Sequence, residues 1–72
     1  MDIVIERCHL YDIIYDRGLT PQQFADMIGA SKTQLSDYNS LRYLIGMKNA
    51  LLYSKVLKCS IDDLYTYRVV ES

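Results

Sequence analysis

Few side chains in this 72-residue chain are of a type and spacing suited to covalent or metal chemistry. His9 is the one histidine, with Asp12 and Asp16 after it at helical spacings, a set able to hold a metal ion adventitiously; a solvated helix face accounts for the same residues more simply. Cys8 and Cys59 stand far apart and lack the close pairing of a metal knuckle, so they read as reduced thiols rather than as ligands or a disulfide. There is no Gly-rich phosphate loop, no paired acidic dyad in a pocket-forming context and no Cys–His arrangement. The expectation is no catalysis, no metal and no cofactor. What remains is a short run of hydrogen-bonding side chains, Lys32, Thr33, Ser36 and Asp37, whose chemistry is recognition rather than reaction.

Such groups need a rigid support, and the segment from Leu19 to Tyr38 (LTPQQFADMIGASKTQLSDY) writes one out. Thr20 can cap a helix, Pro21 sits at its first position where a missing N–H costs nothing, and Gln23 completes a capping box. Gly29 ends that helix. Ser31 can cap again almost at once, with Gln34 as its capping-box partner. Two helices joined by so short a turn form a helix-turn-helix, the geometry that presents a second helix to the major groove of DNA. In the first helix Phe24, Ala25 and Ile28 face inward; in the second Leu35 and Tyr38 do, leaving Lys32, Thr33, Ser36 and Asp37 outward.

The flanking sequence reads as helical too. From Ile3 to Arg17 the residues Ile3, Leu10, Tyr11, Ile13 and Ile14 fall on one arc and His9, Asp12 and Asp16 opposite, which predicts an amphipathic first helix closed by Gly18 with Leu19 as its hydrophobic contact. A further helix spans about Met47 to Lys58, with Met47, Ala50, Leu51, Ser54 and Leu57 as its inner stripe. Ser60 can cap a short fifth helix, with Asp63 at the capping-box position and Leu64 inward. Asn39 to Gly46 has three open paths: an extension of the third helix, the start of the fourth, or a loop pinned by Leu41, Leu44 and Ile45. The expected architecture is all-α, a compact bundle of about five short helices with no sheet, in one domain over residues 1–72 whose helix-turn-helix core is about 20–40. Tyr11, Tyr15, Tyr38, Tyr43 and Tyr53 belong at the core margin. No apolar run approaches the roughly 20 residues that span a bilayer, and the N-terminus does not look like a signal peptide, so a cytoplasmic protein without a membrane partner is expected.

The run Gly18-Leu19-Thr20, Phe24-Ala25, Ile28-Gly29, Ser31 and Leu35, followed by Ser60-Ile61-Asp62-Asp63-Leu64-Tyr65, resembles the Cro/C1-type (XRE) helix-turn-helix family over about Leu10 to Tyr65. The resemblance implies a lambda-repressor-like fold and sequence-specific binding of double-stranded DNA by the third helix. Carried over by position, it makes Lys32, Thr33, Ser36 and Asp37 base-facing and places Ser31 and Gln34 near phosphates. A lysine donates to guanine acceptors, hydroxyls serve donors or acceptors, and a carboxylate accepts from the cytosine amino group. Where the family commonly has a glutamine on phosphate this chain has Pro21, so Gln22 or Gln23 would take that contact. Where it often pairs an arginine of the first helix with a glutamate closing the third, this chain has Ile14 and Asn39, which reads as replacement of a buried pair by apolar packing.

Charge sets a second constraint. Eight Lys and Arg against nine Asp and Glu give a net charge of −1, whereas affinity for DNA rests largely on neutralised phosphates. A local patch is needed, and Lys32, Arg42, Lys48 and Lys55 are the candidates, Arg42 and Lys48 as phosphate contacts. A small patch on a small module calls for a homodimer reading two half-sites, and Leu52, Val56, Tyr65, Tyr67 and Val69 are the interface candidates. The near-neutral balance also suits a different class: a helix-turn-helix scaffold that binds another protein, as a phage-type antirepressor or inhibitor does.

Overall fold

The computed structural model describes residues 1–71. Its elements run β1 (Asp2–Cys8), α1 (Leu10–Asp16), α2 (Pro21–Ile28), α3 (Lys32–Asn39), α4 (Met47–Leu57), a 3-10 turn (Ile61–Leu64) and β2 (Tyr65–Val70). The two helices expected between Leu19 and Tyr38 are present, but the expectation of an all-α bundle of five helices and no sheet is corrected: the described residues form four α-helices, one 3-10 turn and a two-stranded antiparallel sheet.

The predicted helix from Ile3 to Arg17 divides at His9. Its first part carries three consecutive β-branched residues, Ile3, Val4 and Ile5, which lose side-chain freedom in a helix and suit a pleated surface. A matching partner exists in Tyr65–Val70, also rich in β-branched and aromatic residues, and pairing with it overrides the helical spacing. Ile3 lies opposite Val69 and Ile5 opposite Tyr67; a register shift between Ile5 and Arg7 then leaves Glu6 as the extra residue. Because side chains alternate with a period of two, that bulge puts Arg7 beside Thr66 on the polar face and returns Cys8 to the apolar one, where it enters the core. Past the bulge β1 ends, and the His9 N–H donates to the Leu64 carbonyl at 2.8 Å.

The core collects Leu10 and Ile14 of α1, Phe24 and Ala25 of α2, Leu35 of α3, Ala50, Tyr53 and Leu57 of α4, and Leu64, with Cys8 and Ile45 at its edge. The stripe on α4 is turned from the expected one. Ala50, Tyr53, Ser54 and Leu57 face in, while Met47 and Leu51, expected inside, are 68% and 56% exposed. Tyr53 sets the rotation. It lies at the centre of the core rather than its margin, 2% exposed, with its ring edge-on to Phe24 at 5.4 Å and tilted against Tyr38 at 6.3 Å. Ser54 tolerates burial because its hydroxyl donates to the Ala50 carbonyl at 2.6 Å.

Asn39 still belongs to α3, and residues 40–46 form a loop. Leu41 adopts φ 65° and packs on the core, Ile45 is buried, and Leu44, expected to pin the loop, is exposed. The Ile45 N–H donates to the Tyr65 hydroxyl at 2.9 Å, so the ring that opens β2 holds the entry to α4.

Candidate nucleic-acid interface

The turn between α2 and α3 is built by the residues the sequence nominated. Thr20 Oγ1 accepts the Gln23 N–H at 3.2 Å and Gln23 Oε1 accepts the Thr20 N–H at 2.9 Å, a complete capping box. Gly29 closes α2 at φ 71°, a left-handed conformation that costs a side-chain-bearing residue energy, and the Ala30 N–H returns to the Ala25 carbonyl at 2.9 Å. Ser31 Oγ accepts the Gln34 N–H at 3.1 Å. The reciprocal half of this second box is not made: the Gln34 side chain donates to the Tyr38 hydroxyl at 3.0 Å instead.

Leu35, fully buried, and Tyr38, half-buried against Tyr53, fix the inner side of α3. Lys32, Thr33 and Ser36 are consequently exposed on its outer side, and Asp37 sits half-buried beside them. The Asp37 carbonyl anchors the following loop, accepting the Arg42 N–H at 3.0 Å and the Ser40 hydroxyl at 3.2 Å. Among the phosphate candidates, Gln22, Gln23, Ser31, Arg42 and Lys48 are exposed and Gln34 is half-buried, and the Arg42 guanidinium lies 5.7 Å over the Tyr43 ring. The three glutamines are engaged within the chain: Gln22 donates to Asp26 at 2.9 Å, Gln23 is held by its capping box, and Gln34 by Tyr38. Gly46 provides no side-chain cap for α4, which leaves backbone N–H groups at that helix start beside Lys48.

The overall charge conceals a segregation along the chain. Residues 32–58 carry five cations, Lys32, Arg42, Lys48, Lys55 and Lys58, and one acid, Asp37; the rest of the chain carries three cations and eight acids. Those three are each in an ion pair, Arg7 with Asp12 at 3.1 Å, Arg17 with Asp16 at 2.6 Å and Arg68 with Glu6 at 3.3 Å. None of the five is in an ion pair among the described residues. The net charge of −1 thus resolves into a basic segment that contains the third helix and an acidic remainder whose own cations are neutralised locally.

The replaced family pair has two separate fates. Ile14 is fully buried and packs as expected, whereas Asn39 is polar and used: its Oδ1 accepts the Tyr11 N–H at 3.0 Å. Of the interface candidates, Leu52, Tyr67 and Val69 are 45%, 41% and 56% exposed, while Val56 and Tyr65 pack partly against the core. His9 lies before α1, with its Nε2 on the Thr66 hydroxyl and Nδ1 3.6 Å from Asp12, and no group of three metal-ligating side chains occurs among the described residues. No helix among them is long and apolar enough to cross a membrane.

Two capped helices joined at a left-handed glycine, the second anchored by one side and exposed along the other, define a helix-turn-helix DNA-binding domain. The helix-turn-helix family profile matches residues 15–64, more than half of the chain, and the protein belongs to that family, of Cro/C1 type. It is similar to the SPbeta prophage-derived uncharacterized HTH-type transcriptional regulator YopS of Bacillus subtilis (strain 168), 28% identical over 68 residues that cover 93% of this chain and 92% of the relative.

Proposed function

We infer that this protein is a sequence-specific transcriptional regulator that inserts α3 into the major groove of duplex DNA and acts as a homodimer. Lys32, Thr33, Ser36 and Asp37 read base edges; Ser31, Arg42 and Lys48 contact phosphates, aided by the free N–H groups at the start of α4. Gln22, Gln23 and Gln34 reach phosphate only by sharing or giving up their present partners. The relative's name, an HTH-type transcriptional regulator, supports the reading. The observation that carries it is the unpaired basic segment from Lys32 to Lys58, because affinity for DNA scales with the number of phosphates neutralised.

Binding to a random duplex at low and moderate salt tests it. The expected result is binding at low salt that weakens steeply as salt rises. No binding at low salt would sink the DNA reading and favour a helix-turn-helix scaffold that occupies another protein. Selection from a randomised duplex pool should then give a preferred site, and a protein carrying both Lys32→Ala and Ser36→Ala should lose that preference.

A further inference from the structure

The outer side of α4 carries apolar and cationic residues together. Leu51 and Leu52 are exposed there with Met47, and Lys48 and Lys55 are exposed among them. At 3.6 residues per turn Lys48 and Lys55 stand nearly in line along the helix, ~10.5 Å apart, and Leu51 and Leu52 fall about 50° to either side of that line. Neither lysine is in an ion pair among the described residues, and residues 38–61 hold four cations and no acid. The arginine pairs lie instead at α1 and on the ribbon formed by β1 and β2.

We propose that the outer side of α4 docks an acidic amphipathic helix of another protein, one with two carboxylates seven residues apart and apolar residues three and four positions after the first. That spacing copies Lys48, Leu51, Leu52 and Lys55. When two helices lie side by side at the ~20° crossing common for such contacts, carboxylates meet the lysines and the apolar pairs flank them. The charges exclude the other occupants. A second copy packed face to face would set lysine against lysine. A phosphate backbone would neutralise the lysines but leave the leucines without an apolar partner. A helix lying on a bilayer keeps its lysines on the polar side, away from the acyl chains, whereas here they stand between the two leucines. The contact spans about two helical turns, so the complex belongs to the small, transient class. Lys48 is also one of the proposed phosphate contacts, and a docked partner withdraws it from DNA.

Two synthetic peptides test the site on the full chain without DNA, so the result is independent of the DNA reading. One repeats Glu-Gln-Ala-Leu-Leu-Ala-Gln twice and closes on Glu; the other has Lys in place of every Glu. The Glu peptide should bind with micromolar affinity and shift the amide resonances of α4, and the Lys peptide should bind about 10-fold more weakly or not at all. A protein carrying both Lys48→Glu and Lys55→Glu should reverse that order, an outcome a misfolded variant would not give. Leu51→Gln should weaken the Glu peptide about 5-fold, because the apolar flank is then lost. Mixed phosphatidylcholine and phosphatidylglycerol vesicles should not displace the peptide. No peptide binding, equal binding of the two peptides, an order unchanged in the double variant, or displacement by the vesicles overturns the proposal.

Discussion

Asn39, the last residue of α3, caps the first turn of α1 by accepting the Tyr11 N–H at 3.0 Å across 28 positions of sequence. His9, at the cap position itself, makes no side-chain cap bond, so an otherwise orphaned donor is satisfied from another helix. Asn39→Ala should lower stability by about 1 kcal/mol, and Asn39→Asp, which retains an acceptor at a helix N-terminus, should lose less. Urea titrations that move the midpoint without changing the slope would show the effect.

Lys58 ends α4 at φ 57°, ψ 48°, a left-handed conformation that a residue with a Cβ adopts at a cost. Lys58→Gly should raise stability by about 0.5–1 kcal/mol, since glycine is the favoured residue at such helix ends. Differential scanning calorimetry would register a higher Tm. The Arg17 guanidinium holds the same helix end by donating to the Leu57 carbonyl at 2.7 Å, a contact the substitution leaves in place.

Alkaline pH should unfold the protein through two of its seven tyrosines. Burial pushes the Tyr53 and Tyr65 phenols above their ordinary range, and Tyr38 nearby pushes in the same direction. At Tyr65 the Ile45 N–H opposes the shift without cancelling it. Raised pKa values in the folded state mean that their contribution is complete below the ordinary value of about 10 and is lost as pH climbs past it. In tyrosinate absorbance, the ionisation of Tyr53 and Tyr65 should appear together with the loss of helical circular dichroism. Tyr53→Phe should move that loss to higher pH.

Each basic contact should appear in the salt dependence of DNA binding. Lys32→Ala, Arg42→Ala and Lys48→Ala should each reduce the slope of log affinity against log salt by about 1 where the residue lies on phosphate. Arg68→Ala should leave the slope unchanged, because that guanidinium is paired with Glu6 on the ribbon. Equal slopes for all four variants would remove the basic segment from the interface.

The helix-turn-helix was legible because its signals are local. Thr20, Pro21, Gln23, Gly29 and Ser31 act within one turn of their own positions, and all of them sit where the spacing put them. The ribbon was not, because the helical arc drawn through Ile3 and Leu10 spans the break at His9; the β-branched run Ile3-Val4-Ile5 was the available sign. A phenol is polar at its tip, so the sequence places Tyr53 at the margin, and only the neighbouring rings of Phe24 and Tyr38 bring it inside. The expectation of apolar packing fails at Asn39 because its partner is a backbone N–H of another helix, which no pattern of side chains reveals. The charge segregation was present in the sequence but vanished in the whole-chain sum.

Every pairing between β1 and β2 joins residues more than fifty positions apart, whereas α2 and α3 are neighbours in sequence. Lengthening a closed loop from about 10 to about 60 residues adds ~1.5 kcal/mol of closure entropy, so the ribbon should form late and reopen first while the helices stay folded. Its amides should exchange with solvent ahead of those in α2 and α3.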